Sequence, residues 1–342
     1  MNGRRRISAA LAGLAAATAV AAPGAFAQTA PAKLTKITMA QAVDAVSFLP
    51  IYIARHFKYF EQEGLDIHVI VTGSSGPDIA ALIAGEVQFA ASAGAPVFNA
   101  WHQGQKLIGI QNIFNNTTTR IVISNDAAKR IGFDSSWNLE RKMKAMKGMK
   151  IGMTRAGALT DSFARSLVTM AGYVPDRDVE ILAVGSGAPM TAAVKQGKVD
   201  LATQFAPFTE QGIASGDFKL YIDLGGGEVP AWKENLVQAL FVRPDWAAKN
   251  EDTVRRMVRA LDRANKWVAD SSPPELAKVL KGFFPSIQDD ALLEAARLNK
   301  LAVRADGRIS KEAAELAMQL HITGGGMKAM IPWDEVFTNK YH

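Results

Sequence analysis

One rhythm constrains this chain more than any other feature: short β-like runs alternate with amphipathic stretches of helical length, and the alternation occurs twice. In the first pass strands are expected at Lys36–Gln41, Asp66–Val71, Gln88–Ala91, Leu107–Ile113 and Arg120–Ser124. Helices are expected between them at Pro50–Glu63, Gly76–Gly85 and Ala95–Gly104. The second pass gives strands at Lys150–Met153, Val179–Val184, Leu201–Gln204 and Lys219–Asp223, with helices at Leu159–Ala171, Pro189–Gly197 and Pro207–Ser215. Such alternation is the signature of α/β layers with mostly parallel strands. The halves also share a detail. Gly73-Ser74-Ser75-Gly76 opens a helix that ends at Gly85 before a short strand, and Gly185-Ser186-Gly187 opens one that ends at Gly197 before another.

After Asn235 the pattern changes to one strand, Val237–Arg243, followed by helices only, at about 252–270, 274–282, 289–299 and 311–320. A late strand leading into a helical tail fits a chain that visits a second lobe and returns. The expected architecture is therefore α/β with two lobes: residues 36–124 plus 236–342, and residues 125–235. Two crossing segments, near Ser124 and near Asn235, would form the hinge.

The N-terminus reads as a leader. Arg4, Arg5 and Arg6 precede an apolar run from Ile7 to Ala22, and Ala25-Phe26-Ala27 supplies small residues suited to cleavage. Residues 1–27 are thus expected to be a signal peptide, with Gln28 as the first mature residue and the periplasm as the destination. The chain carries 39 Lys and Arg against 33 Asp and Glu, and without the three leader arginines the balance is 36 to 33. That near-neutrality gives no reason to expect a nucleic-acid partner, which would call for a clustered basic face. The basic run Arg141–Lys147 reads as the solvated face of a short helix.

With no cysteine in the chain, disulfides, thiolate metal sites and thiol nucleophiles are all excluded. His56, His68, His102, His321 and His342 fall at no metal-ligand spacing. No Gly-x-Ser-x-Gly elbow occurs, and Gly225-Gly226-Gly227 and Gly324-Gly325-Gly326 lack the followers of a nucleotide-binding loop. No catalytic residue, cofactor or metal is expected.

Several helix starts preceded by Gly and hydroxyl residues stand at strand ends, where ligands settle in open α/β sheets. Free N–H groups and the helix dipole favour an oxyanion there. The candidate loops are 73–76, 93–95, 154–160 and 185–187, although Ser and Gly at such positions also serve as plain caps and turns. Arg155 could grip a carboxylate with both arms of its guanidinium, or remain a solvated loop residue. Phe48, Phe205, Phe208 and Trp232 could wall an apolar ligand body, or pack in the core.

The stretch from Phe48 to Ile67, with Pro50, Ala54 and Phe60-Glu61-Gln62-Glu63-Gly64-Leu65-Asp66-Ile67, resembles the opening of the nitrate, sulfonate and taurine type of periplasmic binding protein. The resemblance continues through Ala84-Gly85-Glu86-Val87-Gln88-Phe89-Ala90, Gly94-Ala95-Pro96, Lys150-Ile151-Gly152, Gly197-Lys198-Val199-Asp200 and Phe205-Ala206-Pro207. It implies a type II periplasmic binding protein fold, within the superfamily that also holds thiamine-pyrimidine enzymes and receptors. It also implies a ligand cleft touched by Gln41, Phe48, Ser74, Ser75, Gly94, Ala95, Thr154, Arg155, Thr160, Ser186 and Phe205, to which the aromatic candidates above add Trp232. His56 replaces a customary Gly. Phe205-Ala206-Pro207 replaces a Trp-x-Pro phrase, which weighs towards a larger or aromatic organic acid.

The expected activity is capture of a small organic anion, a sulfonate or an aliphatic or aromatic carboxylate, by a monomeric receptor that hands it to ABC permease subunits. The alternatives are a pyrimidine receptor and a secreted enzyme on the same scaffold. The absence of cysteine argues against the Cys-dependent pyrimidine enzyme.

Overall fold

A computed structural model describes residues 34–342, which form one compact unit; the expected leader, residues 1–27, lies outside the described residues. Ten strands form two five-stranded sheets. The first contains β1 (Thr35–Gln41), β2 (Leu65–Val71), β3 (Phe89–Ser92), β4 (Ile108–Asn115) and, returning late, β10 (Leu236–Val242), in the order β2-β1-β3-β10-β4. The second contains β5 (Arg120–Ser124), β6 (Lys150–Met153), β7 (Glu180–Ala183), β8 (Leu201–Gln204) and β9 (Phe218–Asp223), in the order β7-β6-β8-β5-β9. β1 runs parallel to β2 and β3, and β6 parallel to β7 and β8. β10 and β5, the strands that enter after a crossing, are antiparallel to their neighbours.

The helices of the first lobe are α1 (Leu49–His56), α2 (Tyr59–Gln62), α3 (Ser75–Ala84) and α4 (Gly94–His102). Those of the second are α5 (Asn125–Ile131), α6 (Leu139–Lys144), α7 (Leu159–Met170), α8 (Ala188–Lys195) and α9 (Phe208–Ala214). The tail holds α10 (Pro244–Lys249), α11 (Glu251–Asp270), α12 (Pro273–Lys281), α13 (Asp289–Lys300), α14 (Lys311–Thr323) and α15 (Trp333–Val336). None of the described helices is long and apolar enough to cross a membrane.

Two expectations are corrected. The single helix expected over Pro50–Glu63 is broken into α1 and α2, because Lys58 adopts a left-handed conformation (φ 56°) that no α-helix accommodates. β5, expected in the first lobe, pairs with β8 and β9 of the second sheet. The first crossing therefore precedes Arg120, in the segment 116–119, rather than lying near Ser124. The two crossings meet: Asn116 N–H donates to the Asn235 carbonyl at 2.8 Å.

α11 shows how the tail is held. Val254, Met257, Val258, Leu261, Ala264 and Val268 recur at helical spacing and are fully buried against α1, α2 and the first sheet. Each large apolar side chain so buried contributes roughly 1.5–3 kcal/mol. On its outer face Glu251–Arg255, Asp252–Arg256 and Lys266–Asp270 form i,i+4 ion pairs. α13 and α14 touch both lobes, α13 through α9 and α14 through α7.

Candidate functional site

Between the lobes lies a small cavity of about 20 Å³, lined by Ala42, Val43, Ser74, Ser75, Ala93, Thr154, Ala158, Leu159, Thr160, Phe205 and Gln238. Three helix starts converge on it. Ser74 and Ser75 open α3, Ala93 precedes α4, and Ala158, Leu159 and Thr160 open α7. None of these three helices has a side-chain cap from the residue before it, whereas α5, α6 and α14 are capped by Ser124, Asn138 and Ser310. The first N–H groups of a helix have no partner within it, so this convergence presents partial positive charge to the cavity.

Local bonds fix the walls. Thr154 N–H donates to Thr160 Oγ1 at 3.0 Å, and the two hydroxyls are 2.7 Å apart, which closes the loop between β6 and α7. In the first lobe the Gln41 amide donates to the Val43 carbonyl (2.9 Å) and to Tyr52 Oη (3.1 Å), and Tyr52 Oη donates to Asp44 (3.3 Å). Burial, then the Asp44 charge, push the Tyr52 phenol up, so it stays a neutral donor. Val46 N–H donates across the lobes to the Ala206 carbonyl at 2.9 Å.

Ser74, Ser75, Thr154, Thr160 and Phe205 thus come together around one cavity. The remaining expected contacts do not line it. Gln41 sits at the end of β1 and braces the Ala42–Val43 segment. Phe48 and Trp232 are buried in the main core, Trp232 against Phe163 with ring centroids 5.4 Å apart. Phe208 likewise packs against that core. Gly94 lies under the Phe98 ring, beside buried Ala95. Ser186 is half-buried outside the lining. Arg155 is exposed, because the chain turns outward between Arg155 and Gly157 before α7 begins.

The sequence reading missed Gln238, though the signal was present: it is the one polar residue in the otherwise apolar strand Leu236–Val242. Its amide donates to Ser47 Oγ at 3.1 Å. Two buried carboxyls stand near the site without lining it. Asp78, in the first turns of α3, accepts from Thr72 Oγ1 at 2.5 Å, and burial pushes its carboxyl up to about 7. Glu210 in α9 pairs with Arg120 at 3.2 Å, and burial outweighs Arg120 to bring it up to about 7. No group of three or more His, Cys, Asp or Glu side chains suited to a metal ion occurs among the described residues.

Comparison with known proteins places this architecture. The chain is 21% identical over 311 residues to the putative binding protein YtlA of Bacillus subtilis, covering 89% of this chain and 87% of that protein. Its fold matches the periplasmic nitrate-binding protein NrtA of Synechocystis with a TM-score of 0.71 at 16% identity, over 90% of this chain and 87% of that one. It also matches the alkanesulfonate-binding protein SsuA of Xanthomonas axonopodis bound to MOPS, with a TM-score of 0.67 at 15% identity, over 85% and 93% of the two chains. The two α/β lobes are those of the periplasmic binding protein fold. Residues 25–281, spanning both sheets and the first three tail helices, match the NMT1-like family, and the chain belongs to it.

Proposed function

We propose that this protein is an exported solute-binding receptor that captures a small organic anion between its lobes and delivers it, as a monomer, to the permease subunits of an ABC importer. One observation carries the reading: α3 and α4 from the first lobe and α7 from the second aim their uncapped starts at one interlobe cavity. The 20 Å³ left between the lobes holds no more than about a water, so an oxyanion enters with the lobes parted and, by contacting both at once, favours their closing around it. The names of the relatives, which include nitrate- and sulfonate-binding proteins, support the same class.

The test is a thermal-shift and small-angle scattering screen of the chain from Gln28, using nitrate, sulfonates, aliphatic and aromatic carboxylates, and pyrimidines. A true ligand at about 100 times its Kd stabilises the fold by roughly 2.7 kcal/mol and contracts the particle without being consumed. Contraction by pyrimidines alone would favour the pyrimidine receptor. Conversion of any compound would overturn the receptor reading.

A further inference from the structure

The eleven residues of the lining carry no charged side chain, yet the cavity is not simply apolar. Ser74 occupies the position before α3 from which a serine hydroxyl ordinarily accepts from the helix's own N–H. Here it caps nothing. Its Oγ has no partner, on a residue 2% exposed. Gln238, 3% exposed, ties one end of its amide to Ser47 Oγ and leaves the other end unpartnered. A buried polar atom left without a partner is costly, so these two atoms mark where a ligand's own polar groups fit.

From this, and resting on the receptor reading above, we propose that the ligand is an oxyanion of single charge whose second polar group is neutral, a hydroxyl or an amide. The helix starts and the Ser74 hydroxyl take the acid end. The free end of the Gln238 amide meets the second group, and since a hydroxyl both donates and accepts, it is satisfied whichever way the amide is turned. The same carbon skeleton bearing an ammonium is rejected. A buried ammonium needs a carboxylate to face, and no acid lines the cavity: Asp161 is committed to Arg165 (2.8 Å) and to Gly157 N–H (2.8 Å), Asp44 to Tyr52, and Asp78 accepts from Thr72 behind the lining rather than in it.

Calorimetry at pH 7.5 on matched pairs tests this directly: lactate with alanine, mandelate with phenylglycine, and 2-hydroxyethanesulfonate with 2-aminoethanesulfonate. The hydroxy member is expected to bind tighter by on the order of a hundredfold in each pair that binds. Gln238→Glu, which supplies a carboxylate, should narrow or reverse that ratio. Ser74→Ala should weaken the hydroxy member about tenfold and leave the ratio unchanged. The wild-type ratio needs no variant to fold. An amino member that binds as tightly as its hydroxy partner overturns the proposal, and so does a complete lack of binding by all six compounds. The receptor reading fails separately, when nothing in the wider screen contracts the protein; contraction by a neutral or cationic compound overturns only the ligand class.

Discussion

Ser162 Oγ on α7 lies 3.2 Å from Nδ1 of His321 on α14, and the same imidazole reaches Asn99 Oδ1 on α4 through Nε2, also at 3.2 Å. One side chain thereby ties a second-lobe helix to a first-lobe helix. Next to it, Ser166 Oγ on α7 donates to the Leu320 carbonyl at 2.9 Å. α7 is also the helix whose start lines the interlobe cavity, so this contact and any occupant of that cavity would act on the same element.

His321 is 4% exposed, and burial holds its pKa below the ordinary 6.5; Asp161 opposes that shift and His102 adds to it. Arg165 on α7 stands at the same crevice, and Lys328 lines a neighbouring one that shares Asn99. Because burial between α7, α14 and α4 prefers the neutral imidazole, the stability of this lobe-to-lobe contact is full above pH 6.5 and declines as pH falls through that value. We expect the closed fraction to fall over this range. Spin labels on introduced cysteines, one per lobe, measure it cleanly in a chain that has no cysteine of its own. His321→Gln should flatten this component of the pH dependence; an unchanged profile in the variant would assign it elsewhere.

The triple glycine after α14, which reads in the sequence as a nucleotide loop without its followers, has a packing role here. A Cβ on Gly326 would overlap the His321 ring, and one on Gly324 would stand 3.0 Å from Ser166 Oγ. Gly326→Ala is therefore expected to displace the imidazole and to destabilise the protein by about 1–3 kcal/mol, read from the denaturant midpoint. Gly325→Ala provides the contrast, since its Cβ meets nothing but its φ of 75° penalises a side chain by about 1–2 kcal/mol. If the imidazole contact is what matters, only the Gly326 variant should also shift the lobe-to-lobe distance.

Arg120 on β5 holds Glu210 (3.2 Å) and Asp223 (3.2 Å) together inside the second lobe, with the Glu210 side chain 2% exposed. Replacing it with Met strands both carboxylates. Removal of one partner from a buried pair costs about 3–5 kcal/mol, so Arg120→Met should lose that much by urea denaturation. The double variant Arg120→Met with Glu210→Gln should recover part of the loss, which a purely steric effect of the methionine would not allow.

How far the sequence foretells this structure depends on where each signal comes from. The strand Arg120–Ser124 is legible because an apolar β-branched run such as Ile121-Val122-Ile123 has few other readings. The sheet that receives Arg120–Ser124 is not legible, since strand propensity is blind to partner; the crossing moved by a few residues for that reason. Hydroxyl-rich loops at Ser74, Thr154 and Thr160 could be found from their place before helices. The outward turn that exposes Arg155 could not, because it goes with a bond from Gly157 N–H in the loop to Asp161 in the first turn of α7, which sequence pattern does not show. Gln238 was readable as a misplaced polar residue, and His321 only as one histidine among five.

Asp78 gives the opposite pH sign to His321. Fully buried, with Oδ1 accepting from Thr72 and Oδ2 unpartnered, it has its carboxyl pushed from 3.8 to about 7 by burial. A carboxyl with a raised pKa contributes stability that is complete below the unfolded value and is lost as pH rises through about 7. At about 1.4 kcal/mol per unit this sets an upper bound of roughly 4 kcal/mol lost between acid and alkaline conditions. Asp78→Asn keeps an acceptor for Thr72 and cannot ionise, so the variant should gain on the wild type from pH 5 up to about 7 and level off above it in paired denaturation curves. It should also bind an anionic ligand more tightly at pH 8, because the wild-type carboxylate then sits in the first turns of α3, just behind Ser74 and Ser75. A wild-type protein that matches the variant at pH 8 in both measurements would mean that Asp78 is already ionised and solvated at acid pH.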